Sequence, residues 1–158
     1  MLLQPARSEN PRSSNLRICK EFSDADKDGF LDEAFEYMAR FFEGSLEELE
    51  KRHSDLQTKF KRIDAQTFTA AIYQGGKAVA RCGIRFGGSR SFGGGITFSH
   101  DDSALVNSFN ESLSIEATEQ ALFLQPMGGG WGGRQKGQLT FDGAAEYYWD
   151  MLMAPLQR

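Results

Sequence analysis

"TFTAAIYQGGKAVARCGIRF", residues 67–86, decides the fold. Phe68, Ala70 and Ile72 alternate with Thr67, Thr69, Ala71 and Tyr73, the period of a strand with one buried face. Gln74-Gly75-Gly76 then supplies a tight hairpin turn, because paired glycines accept the positive φ that such turns require. The run after it answers in kind, with Ala80, Cys82, Ile84 and Phe86 set against Val79, Arg81, Gly83 and Arg85. Two antiparallel strands are therefore expected here, and one apolar sheet face needs a cover.

Downstream the alternation persists. "GGSRSFGG" (87–94) reads as a longer hairpin loop and "GGITFS" as a strand with Ile96 and Phe98 inward. "HDDS" (100–103) is another loop. "SFNESLSIEA" places Phe109, Leu113 and Ile115 on one face, "ALFLQ" is a further strand, and "PMGGGWGGRQKG" (126–137) is a long loop. The last element changes period. In "LTFDGAAEYYWDMLMAPLQ", Thr140 is placed to cap a helix, Asp142 suits its dipole, and Phe141, Ala144, Ala145, Tyr148 and Leu152 share a face, with Pro155 ending it. "EYYWDM" (146–151) is an aromatic cluster at helical spacing whose default reading is core packing; the alternative sets Tyr147 and Trp149 partly outside that stripe as a partner surface.

Upstream the period is helical. Leu31, Phe35, Met38 and Phe42 form one stripe, with Ala34 and Phe41 beside it. Glu43-Gly44 reads as its end. Ser45 and Glu48 read as a capping box opening a second helix. The chain is thus expected to be α+β: an antiparallel meander of five or six strands, an N-terminal helical pair and a C-terminal helix. A pleckstrin-homology-like roll is the alternative. Residues 1–29 are expected as a mobile leader and acidic loop, and 30–158 as one domain.

With 158 residues and 40% apolar content, the chain suits a single domain with its own core. No apolar run approaches a membrane span. "MLLQPAR" is too short for a signal peptide, and Cys19 and Cys82 form no disulfide or metal pattern, so a cytoplasmic protein is expected. The net charge of −4 is uneven: residues 1–20 carry +3, 21–55 carry −8 and 56–158 carry +1. No basic footprint for nucleic acid is read from this balance, and no membrane partner is expected.

"DADKDGFLDEAF" (24–35) resembles a degenerate EF-hand loop, or the shorter calcium loops of the Excalibur type. Asp24, Asp26 and Asp28 alternate before Gly29, and Glu33 stands where a carboxylate is needed. Phe35 occupies the position of the usual bidentate Glu. The competing reading is a helix start, where Asp residues cap free N–H groups. No other cofactor is expected.

Gly128, Gly130 and Gly133 satisfy G-x-G-x-x-G formally but lack the strand and helix that a dinucleotide site requires. The glycine-rich loops instead offer Arg90, Trp131, Arg134 and Lys136 to a protein partner or a small anionic ligand. His100 with Asp101 and Asp102 is the one candidate acid–base cluster, and no nucleophile motif accompanies it, so the case for an enzyme leans negative.

From Tyr37 to the end, "SLEELEKR", "FTAAIY", "SFNESLSIE" and the closing helix together resemble an uncharacterised bacterial domain sometimes found with TIR-domain proteins. That resemblance implies a bacterial, cytosolic accessory or sensor module that binds a ligand or protein. It supplies no catalytic residues. Residues 1–36 lie outside it.

Overall fold

The computed structural model describes residues 10–16, 18, 21–87, 95–100, 110–127 and 138–157. In chain order these form α1 (Asp24–Arg52), β1 (Leu56–Asp64), β2 (Thr67–Gln74), β3 (Lys77–Phe86), β4 (Ile96–Ser99), β5 (Glu111–Ala117), β6 (Leu122–Pro126) and α2 (Phe141–Met153), with a short 3-10 turn at Ala154–Leu156. The six strands make one antiparallel sheet in the order β1-β2-β3-β4-β5-β6. This is the α+β meander. Among the described strands β1 and β6 stand at opposite edges.

The β2–β3 hairpin forms as its sequence dictates. Gly75 and Gly76 both adopt positive φ, 62° and 78°, and Gln74 pairs with Lys77. A side chain at either position would be strained, which is why two glycines stand there. Phe68, Ala70, Ile72, Ala80, Cys82, Ile84, Ile96, Phe98, Leu113 and Leu124 line the inner sheet face. Onto it pack Leu31, Ala34, Phe35, Met38, Ala39, Phe42 and Leu46 of α1, and Ala144, Ala145, Tyr148 and Leu152 of α2. Rings of Phe35, Phe42, Phe60 and Phe68 interlock across this layer with centroids 5.4 Å apart. Such contacts add to the area they bury.

The expected N-terminal helical pair is one continuous helix of 29 residues. Glycine in a helix interior costs about 1 kcal/mol relative to alanine and does not by itself end the helix. The apolar stripe runs on through Gly44, from Phe42 to Leu46, so packing outweighs that cost. The capping box belongs at the true start. Ser23 Oγ accepts from the Asp26 N–H, and Asp26 Oδ2 accepts from the Ser23 N–H, both at 3.0 Å. Residues 24–29, expected as an acidic loop, are therefore the first turns of α1. At the other terminus Thr140 caps α2 as expected, accepting from the Gly143 N–H at 3.1 Å.

β1 is the edge strand that the sequence signalled least. Leu56, Thr58, Phe60 and Arg62 face the core side, and the Arg62 guanidinium lies 5.5 Å from the Phe35 ring and pairs with Glu36. The end of α1 guards its open edge. The Glu50 carboxylate accepts from the Thr58 N–H at 2.6 Å, and Thr58 Oγ1 donates to the Leu46 carbonyl.

Candidate functional site

The aspartate stretch does not form a ligand cage here. Asp24, Asp26 and Asp28 sit in the first turns of α1, where a step of two residues turns the side chain about 200° around the axis. Asp26 thus projects away from Asp24 and Asp28 and is engaged by Ser23. Glu33 lies further along the same helix. Among the described residues, no three His, Cys, Asp or Glu side chains come together to hold a metal.

Arg90, Trp131, Arg134 and Lys136 lie outside the described residues, as do Asp101 and Asp102. Their anchors are described. Gly87 donates to the Gly95 carbonyl at 2.8 Å, at the β4 end where the segment bearing Arg90 departs. Met127, after which the segment bearing Trp131 follows, donates to the carbonyl of Ser112, the residue opposite Thr97 of β4, at 2.8 Å. His100 closes β4. Its backbone N–H donates to Asn110 Oδ1 at 2.8 Å, and its ring meets the Phe98 ring edge-on at 5.1 Å.

One buried polar group was not foreseen. Glu111 is 2% exposed on the inner face of β5, opposite Phe98. Its Oε1 accepts from the Ser112 N–H at 2.8 Å, and its Oε2 accepts from the Tyr147 hydroxyl at 2.5 Å. Beside it the Tyr148 hydroxyl donates to the Ile96 carbonyl at 2.5 Å. Burial pushes the Tyr148 hydroxyl well above its usual pKa, and Glu111 adds to the effect. Tyr147 is thus an anchor between α2 and the sheet, and Trp149 packs edge-on against Phe42 at 5.4 Å, the core packing that was the default reading of this cluster. The arrangement explains how α2 is fixed, because a buried carboxyl requires donors.

The sheet's other face is the remaining surface with a consistent chemistry. Both helices pack on the inner face. On the outer face the register sets Lys59 opposite Ala71 and Ala71 opposite Arg81. Lys61 stands opposite Thr69, and Thr69 opposite Gly83. Thr67 stands opposite Arg85, and Arg85 opposite Thr97. Strands lie about 4.8 Å apart, so Lys59 and Arg81 flank Ala71 across about 10 Å. The result is a shallow trough. Its floor is Thr69, Ala71 and Gly83, one wall is Lys59 and Lys61, and the other is Arg81 and Arg85. Lys59, Lys61 and Arg81 are exposed, and Arg85 is half-buried. No carboxylate shares this face on β2 or β3. Asp64, the last residue of β1, stands opposite Thr67 on this same face and accepts from the Gln66 N–H at 2.8 Å.

Sequence reading missed the trough because its four cations are scattered over 27 positions and assemble only through the register. The alternation of Arg81 and Arg85 with an apolar inner face was the available signal.

Among the described residues no helix is long and apolar enough to cross a membrane. The model of the Y4lF protein domain family matches residues 57–154, which span the described strands from the second residue of β1 onward, and α2. An uncharacterised bacterial protein, y4lF of Sinorhizobium fredii (strain NBRC 101917 / NGR234), is 48% identical over 152 residues, 96% of this chain and 47% of its own. The chain therefore spans about half the length of the curated relative it matches. No solved structure matches. Neither match shows a link to TIR-domain proteins or to EF-hand loops.

Proposed function

We propose that this chain, which belongs to the Y4lF domain family, is a non-enzymatic binding module that docks a partner on the outer face of its sheet. The observation that supports this reading is the division of the sheet into two unlike faces. The inner face is closed by α1 and α2, whereas the outer face of β1–β3 gathers Lys59, Lys61, Arg81 and Arg85 around a floor of small residues. A surface of mixed sign would be the ordinary solvated outcome. Four cations beside the single carboxylate of Asp64 on β1–β3 give this face an excess of positive charge that suits recognition.

The role is that of an accessory or sensor element in the bacterial cytosol, as the resemblance to a domain found with TIR-domain proteins implies. A calcium site at Asp24, Asp26, Asp28 and Glu33 is the competing proposal, and it requires the first turns of α1 to unwind. Calorimetric titration with calcium, beside an Asp24→Ala/Asp26→Ala variant, decides that point.

The docking reading is tested by photo-crosslinking in cells, with a photoreactive amino acid replacing Tyr73 or Thr69 on the outer face, or Glu47 on α1. A discrete adduct from positions 73 and 69, absent from position 47, is expected. Equal adducts from all three, or none from the sheet positions, would remove its basis.

A further inference from the structure

We infer that the groove between the first turns of α1 and the start of β6 receives the basic arm ahead of α1, residues 10–18, from a second copy of this chain. The inference goes beyond the outer sheet face and does not rest on it. The groove is an open cavity of about 600 Å³. Phe22, Phe30 and Leu122 give it apolar walls, and Glu21 and Glu33 give it charge. The Phe141 ring, 5.1 Å away, holds Phe30 in place. Phe22 and Leu122 are half-buried and, unlike Phe30, do not join the core cluster. Asp26 also lines the groove, but its carboxylate is engaged by the Ser23 N–H. Among the described residues the side chains of Glu21 and Glu33 have neither a hydrogen bond nor an ion pair.

Gly29 is the second observation. It lines the groove from the interior of α1, and no atom lies within 4 Å of where its Cβ would stand. Its backbone is helical, whereas positive φ occurs at Gly75 and Gly76. Glycine weakens a helix interior. Neither turn geometry nor close packing within one copy calls for it, and an occupant of the groove would.

The third observation is the arm itself. Residues 21–33 hold six carboxylates and one lysine, whereas residues 1–20 carry +3. "NPRSSNLRI" (10–18) has Arg12 and Arg17 and no carboxylate. Leu16 is 63% exposed and Ile18 81% exposed, and neither lines the groove of its own copy. A basic, apolar segment thus leads into an acidic, apolar groove and leaves it unfilled. Reciprocal exchange of arms between two copies covers both surfaces and closes by two-fold symmetry. Other occupants fit less well. The carboxylates repel nucleic acid and anionic membranes. Among the described residues no three His, Cys, Asp or Glu side chains converge for a metal. A small-molecule site buries most of its ligand, and an open groove does not.

The test joins sedimentation velocity to fluorescence anisotropy. The native chain is expected to sediment as a dimer, and the full-length Leu16→Asp/Ile18→Asp variant as a monomer. That variant, whose own arm is disabled, is then the receptor for three labelled probes. They are the NPRSSNLRI peptide, the same peptide carrying Leu16→Asp and Ile18→Asp, and a nonapeptide of alternating Lys and Ser. NPRSSNLRI is expected to bind in a salt-sensitive manner, and the other two at least about tenfold more weakly. Adding Glu21→Lys/Glu33→Lys or Gly29→Leu to the receptor should weaken binding by about tenfold or more. Gly44→Leu, outside the groove, should leave it unchanged. Circular dichroism checks the fold of each variant, and the Asp-bearing peptide needs no change in the receptor. Failure of NPRSSNLRI to bind would overturn the inference, as would binding that survives both groove changes. Equal binding of the Lys/Ser peptide would overturn the arm as occupant and leave a site for any basic segment. Binding of NPRSSNLRI beside a native chain that is monomeric at every concentration would overturn the second copy and return the arm to its own groove.

Discussion

Tyr147→Phe deletes one oxygen and tests how α2 is held. The Tyr147 hydroxyl donates to Oε2 of Glu111 at 2.5 Å, and the acceptor is buried, 2% exposed. A buried acceptor deprived of a donor costs about 1–3 kcal/mol, whereas the ring contact with Tyr148 at 5.8 Å is retained in phenylalanine. Tyr148→Phe is the internal comparison. It removes a bond to the Ile96 carbonyl, a neutral backbone acceptor, for which about 0.5–1.5 kcal/mol is expected. In a chain of this size a loss of about 2 kcal/mol lowers Tm by about 4–8 °C. Urea unfolding at neutral pH, followed by circular dichroism, should show a lower midpoint at unchanged slope for Tyr147→Phe. Combining Tyr147→Phe with Glu111→Gln should cost less than the sum of the two single changes, because both break one bond. A Tyr147→Phe protein within about 0.5 kcal/mol of the parent, with strictly additive behaviour, would refute the role given to this pair.

Other consequences are equally concrete. Gly44 has no atom within 4 Å of where a Cβ would stand, so Gly44→Ala should stabilise the protein by about 0.5–1 kcal/mol, read by thermal unfolding; a loss would restore a break between two helices. A Cβ at Gly95 would lie 2.5 Å from the Leu113 carbonyl oxygen, so Gly95→Ala should lower Tm clearly. Tyr148 keeps its proton in the fold above the ordinary value near pH 10, whereas the unfolded chain loses it there. Its contribution is therefore complete below about pH 10 and lost as pH rises toward the folded value, and Tyr148→Phe should flatten this alkaline decline in urea melts. The Gln74 side chain donates to Asp55 at 2.8 Å and holds that carboxyl below its usual pKa, so Gln74→Ala should move the Asp55 titration upward when followed by NMR.

Much of the fold can be read from the chain because its periods are clean. Phe68, Ala70 and Ile72 against Thr67, Thr69 and Ala71 admit one register relative to a core, and the paired glycines fix the turn. Gly44 misled because a local weakness was read as a boundary, although the stripe from Phe42 to Leu46 continued through it. The aspartates carried two readings, a calcium loop and a helix start, and Ser23 with Asp26 places the segment in a helix, as the second reading had it. Glu111 was visible by parity, two residues before Leu113 on an inward face, but a charged residue at a core position reads as a fault until its donors are known. The trough was the least legible feature, since Lys59 and Arg81 share a surface only after two strand pairings.

The most direct measurement is a set of ¹H–¹⁵N NMR spectra of the chain titrated with a twelve-residue acidic peptide of alternating Glu and Ser, a probe of the cations on the outer sheet face. Shifts should concentrate on the amides of Lys59, Lys61, Thr69, Ala71 and Arg81 and leave α1 unmoved. Shifts confined to α1 or to residues 128–137, with the β1–β3 amides unchanged, would contradict the assignment of the outer sheet face as the docking surface.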